Sequence, residues 1–305
     1  MIVIVCPGQG SQKPGFLAPW IESAEARALL ADYSDAAGLD LVAYGTESDA
    51  ETIKDTAVAQ PLIVAAGLLV LHQLAQRDVL HRIGGIAGHS VGEITAAAGA
   101  GVLTSADAMA FVSERAAAMA ESARQVSTGM SAVLGGDPDD VVATARAVGL
   151  EPANFNGGGQ IVVAGELPAL ARLADEPPAK ARVMPLKVAG AFHTRYMSDA
   201  REFLAARADT FPATDPSLRL WTNNDGSEIS HGAKFRDLLV TQVASPVRWD
   251  LCMESFVNAG VTGVIEVAPA GALIGLARRG LKGIPTLAVN TPDDLDAAAD
   301  MITAA

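Results

Sequence analysis

Cysteine, basic charge and unbroken apolar runs are all scarce in this 305-residue chain, and each shortage excludes something. The two cysteines, Cys6 and Cys252, cannot build a disulfide framework, and their apolar settings suit a reducing compartment. Neither has C-x-x-C spacing and the histidines are scattered, so no metal site is expected. Lys and Arg number 22 against 35 Asp and Glu, and a net charge of −13 argues against a sequence-independent hold on nucleic acid. A local basic patch for an acidic partner remains compatible with that balance. No apolar stretch is expected to reach the ~18 residues of a membrane span, because Glu, Arg, Asp or Gly interrupts the Ala-rich segments. The opening run Met1-Ile2-Val3-Ile4-Val5-Cys6 is strand-sized, lacks a basic leader and stops at Pro7-Gly8, which reads against a signal peptide. A cytoplasmic protein that does not engage membranes is expected. With no repeats, no low-complexity linker and no extended hydrophobic seam, the expectation is a monomer of one large or two modest domains.

What the chain does have is core. Half of its residues are hydrophobic and only 19% are charged, which excludes intrinsic disorder. Short β-rich runs alternate with Ala/Leu-rich helical ones, the α/β pattern. Strands are expected at 2–6, 83–87, 218–222, 262–267 and 285–288, and helices at 57–77, 92–100, 105–123, 195–208, 249–259 and 292–303. Between Ser131 and Lys187 the grammar changes. Strand 131–134, helix 139–148, strand 151–155, a turn at Gly157-Gly158-Gly159, strand 160–164, helix 167–174 and strand 181–187 follow one another. That β-α-β-β-α-β order is a ferredoxin-like unit inserted into a larger α/β domain.

Gly88-His89-Ser90-Val91-Gly92 is a G-x-S-x-G string between a short apolar strand and a small-residue helix. A serine on such a strand-to-helix turn is exposed, and the flanking glycines let the backbone turn without a Cβ clash. The helix N-terminus beneath it points amides at a developing oxyanion. The alternative is a Gly-rich turn that happens to hold a serine. A serine nucleophile needs a base. His72 lies in a helix, His81 follows a loop-like Arg77-Asp78, His231 sits in a Ser/Gly turn, and His89 adjoins the serine on a turn whose neighbours diverge. Elimination leaves His193, in a loop before a helix. The loop Pro7-Gly8-Gln9-Gly10 after the first strand suits a second oxyanion donor, the Gln9 amide, beside the amide following the nucleophile. It also resembles the start of a dinucleotide fingerprint, but Lys13 stands where the third glycine belongs and Pro14-Gly15 interrupts any helix.

Ala108, Val112, Arg115 and Met119 share one stripe of the helix expected at 105–123, which puts Arg115 on its apolar face. A guanidinium there must be paired, since an isolated buried charge is costly. Its fork matches a carboxylate with two hydrogen bonds, either of a ligand or of an Asp or Glu of the fold.

Taken together, Pro7-Gly8-Gln9-Gly10-Ser11-Gln12, Ala59-Gln60-Pro61, Gly88-His89-Ser90-Val91-Gly92-Glu93, Arg115 with Met119, Asn154-Phe155-Asn156 with Gln160, Gly190-Ala191-Phe192-His193 and Pro246-Val247-Arg248-Trp249 resemble the malonyl-CoA:acyl carrier protein transacylases and the related acyltransferase domains of polyketide synthases. The resemblance spans essentially the whole chain. It implies an α/β-hydrolase-like core, residues 1–127 and 190–305, with a ferredoxin-like insert at 128–189. It further implies Ser90 as the acylated nucleophile, His193 as its base, and the amides of Gln9 and Val91 as the oxyanion hole. Arg115 would grip the malonyl carboxylate, and a backbone carbonyl, that of Gln242, would orient the histidine. Gln60, His89, Met119 and Phe192 would line the pocket, with the Phe192 ring disfavouring a methyl-branched acyl group. The implied reaction moves malonyl from malonyl-CoA to the phosphopantetheine thiol of acyl carrier protein in two ping-pong steps, for fatty acid or polyketide synthesis. No bound cofactor is implied, coenzyme A entering only as the thioester substrate. Activity is expected to fall as His193 becomes cationic, near ~6–7 for an ordinary imidazole. Docking an acidic carrier protein calls for basic side chains, for which Lys187 and Arg195 beside the His193 loop and Arg278, Arg279 and Lys282 later on are candidates; otherwise these are ordinary solvated charges. Two positions depart from the family pattern: Ala116 follows the arginine where glycine is common, and Ala268-Pro269-Ala270 stands for Gly-Pro-Gly. A serine hydrolase or thioesterase would use the same Ser90 and His193 but has no need of a buried cation. A non-catalytic carrier-protein-binding subunit would need neither.

Overall fold

Every residue of the first strand, Ile2–Cys6, is buried, as a purely apolar run must be when neighbours flank it and helices cover both of its faces. The computed structural model describes residues 1–188 and 190–305, and within them the strands are β1 (Ile2–Cys6), β2 (Gly85–Gly88), β3 (Thr128–Gly135), β4 (Glu151–Gly157), β5 (Gln160–Glu166), β6 (Ala181–Pro185), β7 (Leu220–Trp221), β8 (Val247–Arg248), β9 (Gly263–Glu266) and β10 (Thr286–Ala288). The chain is an α/β protein with two five-stranded sheets. One has the order β10-β9-β1-β2-β7 and is parallel throughout. The other has the order β6-β3-β5-β4-β8, antiparallel except for the short β4–β8 pair. Ala189, the expected last residue of the insert, lies outside the described residues.

The register of the parallel sheet places the site. Cys6 pairs with Gly88 and Val5 with both Ala87 and Glu266, so the loops leaving β1 and β2 emerge side by side at the carboxyl edge. The second sheet stands over that edge. β8 joins it to the helix Trp249–Asn258, and the helix Ala272–Gly280 lies between the two sheets' strands β9 and β4.

Three expectations need correction. The segment Thr56–Gln76 does reach membrane-span length and apolarity, with a mean hydropathy of 1.7 over 18 residues. Its apolar surface goes elsewhere: 83% of that window is buried inside the fold, against the helices Gly92–Gly99 and Ser105–Gln125. The helix expected at 195–208 begins as a 3-10 turn, Arg195–Met197, before the α-helix Ser198–Ala205, and the one expected at 292–303 likewise opens on a 3-10 turn, Pro292–Asp294. Four helices went unexpected: Ala24–Ala37, Leu41–Thr46, Gly232–Gln242 and Ala272–Gly280. The third bears on the site; Phe235, Leu238 and Leu239 stand at helical spacing in it, but the pattern spans little more than one turn among polar neighbours.

Candidate active site

Ser90, two residues after β2 ends, has φ of 55°, a left-handed conformation that non-glycine residues rarely adopt, and the helix Gly92–Gly99 begins two residues later. The flanking glycines are demanded by distance. A Cβ on Gly88 would lie 2.0 Å from the carbonyl carbon of Gly92, and one on Gly92 would lie 2.1 Å from the carbonyl oxygen of Cys6. Asn223, fully buried after β7, pins the turn. Its Oδ1 accepts from the Ser90 N–H at 2.8 Å while its Nδ2 donates to the Gly88 carbonyl at 2.7 Å.

His193 also has positive φ, 63°. Its Nε2 lies 2.7 Å from Ser90 Oγ, and its Nδ1 lies 2.9 Å from the carbonyl oxygen of Gln242. A carbonyl only accepts, so Nδ1 carries the proton and Nε2 turns its lone pair to the serine. That carbonyl has no partner within its helix because Gln242 is the last residue of Gly232–Gln242, and it divides its two lone pairs between His193 and the Ser245 N–H, which donates to it at 3.1 Å. A helix C-terminus thus stands where a third acidic group would otherwise be sought. Burial, reinforced by the Arg115 charge, pushes the imidazole from 6.5 down to about 3. The expected loss of activity near 6–7 is therefore corrected: His193 is neutral through that range.

Gln9 and Val91 line, together with Ser90, a cavity of about 400 Å³. Among the described residues neither N–H meets an acceptor. The His89 N–H donates to the Cys6 carbonyl at 2.9 Å, tying the two loops together. Met130, Val162, Phe192 and Leu273 add apolar surface to the same cavity.

Arg115 is 1% exposed on the helix Ser105–Gln125, which Thr104 caps by accepting the Asp107 N–H at 3.0 Å. Among the described residues no carboxylate lies within 4.0 Å of its nitrogens. Two side-chain amides hold it instead: Nη1 donates to Gln60 Oε1 at 2.5 Å and Nη2 to Gln242 Oε1 at 2.9 Å. Burial lowers the guanidinium to about 10, with Glu93 opposing, so it is cationic at neutral pH. Arg115 sits one layer behind the cavity wall, which Gln60 and Met119 form at that point, Gln60 Nε2 donating to Met119 Sδ at 3.5 Å.

The structure thus brings Ser90, His193, Gln9, Val91, Gln60, Met119 and Phe192 to one cavity, with Gln242 and Arg115 directly behind them. His89 lines the cavity too, but its Nε2 is engaged by Asn156 Oδ1 at 2.9 Å, so it points away from the serine. Asn156 in turn donates to Gln160 Oε1 at 2.8 Å. The basic candidates divide. Arg279 reaches the cavity rim, and Lys187, Arg278 and Lys282 are exposed, whereas Arg195 is committed to an ion pair with Glu151. No cluster that could hold a metal ion occurs among the described residues. Two buried residues that hydrogen-bond to the site, Asn223 and Glu93, are assigned no role in the sequence reading. Asn223 carried no signal beyond a polar turn after a strand. Glu93 stood in plain view in the first turn after the G-x-S-x-G string, where an acid is ordinary; only its burial, 1% exposed, sets it apart.

The model of the acyl transferase domain matches residues 3–299. The chain is 49% identical over 302 residues to a malonyl CoA-acyl carrier protein transacylase of Mycobacterium tuberculosis, covering 99% of this chain and 100% of that one. The crystal structure of MCAT from Mycobacterium tuberculosis superposes with a TM-score of 0.95, covering 98% of this chain and 99% of the other. A malonyl-transacylase in complex with a type II polyketide synthase acyl-carrier protein superposes at 0.91 with 29% identity, covering 98% of this chain and 99% of that one.

Proposed function

We infer the function from one premise: this chain belongs to the acyl transferase domain family, among its malonyl-CoA:acyl carrier protein transacylases, and is an acyltransferase. In our reading it moves a malonyl group from malonyl-CoA to the phosphopantetheine thiol of an acyl carrier protein, serving fatty acid or polyketide synthesis. The observation that carries this is the 2.7 Å contact between Ser90 Oγ and a neutral His193, with a carboxylate-free cation one layer behind the same wall.

His193 Nε2 takes the Ser90 proton as Oγ attacks the thioester carbonyl. The oxyanion settles on the N–H groups of Gln9 and Val91, the second at the mouth of a helix whose dipole favours negative charge. As the tetrahedral intermediate collapses the C–S bond breaks, His193 returns the proton to sulfur, and coenzyme A departs, leaving malonyl-Ser90. The carrier thiol then enters, gives its proton to His193, and takes the acyl group by the reverse sequence. The free malonyl carboxylate displaces Gln60 Oε1 from Arg115 Nη1, and the resulting ion pair holds the acyl group against rotation. Such positioning is worth several kcal/mol, roughly what separates a held substrate from a freely turning one. A hydrolase would have no use for the cation.

The Phe192 ring narrows the pocket against a methyl branch. Arg279 at the rim, with Lys187, Arg278 and Lys282, offers positive charge to an acidic carrier. Residues 128–189 act as an inserted unit that closes the pocket over the parallel sheet. In this reading the enzyme works as a monomer in the cytoplasm and needs no bound cofactor. Isotope exchange tests the two-step order: labelled coenzyme A should enter malonyl-CoA with no carrier protein present. Exchange that requires the carrier would exclude an acyl-serine intermediate released from coenzyme A.

A further inference from the structure

Glu93 is 1% exposed, lies outside the cavity wall, and has no part in the chemistry just described. A buried carboxyl group is costly unless its oxygens are satisfied, and here both are. One accepts the Asn223 N–H at 2.6 Å, and the other accepts the Gln242 side-chain NH2. The same NH2 donates to the Ser90 carbonyl at 3.1 Å, and the opposite end of that amide, Gln242 Oε1, accepts from Arg115 Nη2 at 2.9 Å. The amide of Gln242 is therefore held lengthwise between an acid and a cation. An amide has a donor end and an acceptor end, and only this orientation satisfies both neighbours. Turned over, it would set its NH2 against the guanidinium and its oxygen against the carboxyl group.

We propose that Glu93 is a positioning residue for acyl-group selection: through the side-chain amide of Gln242 it fixes the Arg115 fork so that the cation is held without being saturated. This rests on the reading of Arg115 as the holder of the malonyl carboxylate. Three helices meet in the relay: Gly92–Gly99 supplies Glu93, Ser105–Gln125 supplies Arg115, and Gly232–Gln242 ends on Gln242. A carboxylate in direct contact would occupy the guanidinium donors. With an amide interposed, the acid steers the arginine through one hydrogen bond and the remaining donors stay available to a diacid. Through Asn223, whose Oδ1 holds the Ser90 N–H, the same carboxyl group also reaches the nucleophile, so one side chain is a single residue removed from both ends of the bound acyl group.

Glu93→Gln separates this role from simple support of the fold. Glutamine has one acceptor where two are needed, so either Gln242 turns over against Arg115 or the Asn223 N–H loses its partner. Single-turnover acylation is followed by intact mass with malonyl-CoA and with acetyl-CoA. The malonyl-to-acetyl ratio of rates should fall by about tenfold in Glu93→Gln, the scale of one buried hydrogen-bonding group left without its partner. Gln242→Met, which keeps the backbone carbonyl that orients His193, should lower the ratio similarly and decides the matter if Glu93→Gln does not fold. Adding Glu93→Gln to Arg115→Ala should leave the ratio of Arg115→Ala unmoved. A wild-type ratio in Glu93→Gln or in Gln242→Met, with Arg115→Ala impaired, overturns this proposal alone. A wild-type ratio in Arg115→Ala itself overturns the underlying reading of the cation, and this proposal with it.

Discussion

The two ends of the acyl pocket are built by different means. At the nucleophile end the decisive features are local: a four-residue strand, a serine at φ of 55°, and two glycines whose Cα hydrogens face backbone atoms about one bond length too close for a methyl group. At the cation end the orientation is not local. Arg115 is oriented by Gln60, 55 positions away, and Gln242, 127 positions away, and Glu93 reaches it only through the latter. A backbone-built site tolerates no change of residue type at its corners. A side-chain-built site tolerates substitution but shifts its preference, because each amide sets the direction of the next.

That contrast sets the order of the predictions. Ser90→Ala removes the attacking atom and should cut transfer by roughly a thousandfold or more, with no covalent adduct after malonyl-CoA; residual labelling elsewhere would deny the backbone-built end its role. Gly88→Ala, with its added methyl 2.0 Å from backbone, should cost roughly 2–5 kcal/mol or prevent folding, read by denaturant titration. A near-neutral result would mean that the elbow is softer than its geometry implies. Arg115→Ala should lower malonyl loading by roughly a hundredfold while favouring uncharged acyl groups, the outcome that most sharply divides the two ends.

Protonation should separate them further. His193 is pushed down to about 3, so its base form persists as pH falls through 6.5, and the rate constant kcat/KM for malonyl loading should hold where an ordinary imidazole would have lost half. Stability bears the consequence with the following sign. Below about 6.5 the unfolded chain binds a proton at this position that the native one refuses, so native stability falls as pH drops from there toward 3. A half-loss of kcat/KM near 6.5 would show the imidazole to be hydrated in the free enzyme. The smallest effect belongs to Phe192→Ala, which should raise methylmalonyl loading relative to malonyl by the ~1–3 kcal/mol that one methyl group is worth, measured by competition.

Legibility in the sequence followed the same division. Apart from the two-residue β8, the strands of both sheets, the elbow and the stripe that buries Arg115 are written in neighbouring residues, as alternation, spacing and glycine placement, and are readable to within a few residues of their bounds. Ser90 and His193 could be paired only by elimination, because the 103 positions between them carry no record of their 2.7 Å contact. The carbonyl of Gln242 came with the family resemblance, since a backbone atom leaves no mark on residue type, whereas the Gln9 and Val91 amides were suggested by the glycine-flanked loop and the elbow themselves. Asn223 and Glu93 were missed for a related reason: a polar turn and an acid in a first helical turn are ordinary until burial makes them costly. The helix Thr56–Gln76 failed in the opposite direction, its composition matching a membrane span while its neighbours bury it.

The central claim is that an activated hydroxyl on the wall of one cavity and a cation one layer behind that wall hold opposite ends of a three-carbon diacid. Intact-mass measurement of the enzyme mixed side by side with malonyl-, methylmalonyl- and acetyl-CoA, with the adduct mapped to its peptide, tests it most directly. The account predicts rapid, stoichiometric malonylation confined to Ser90, slower methylmalonylation and little acetylation. Equal labelling by all three thioesters, or an adduct on any other residue, would contradict it.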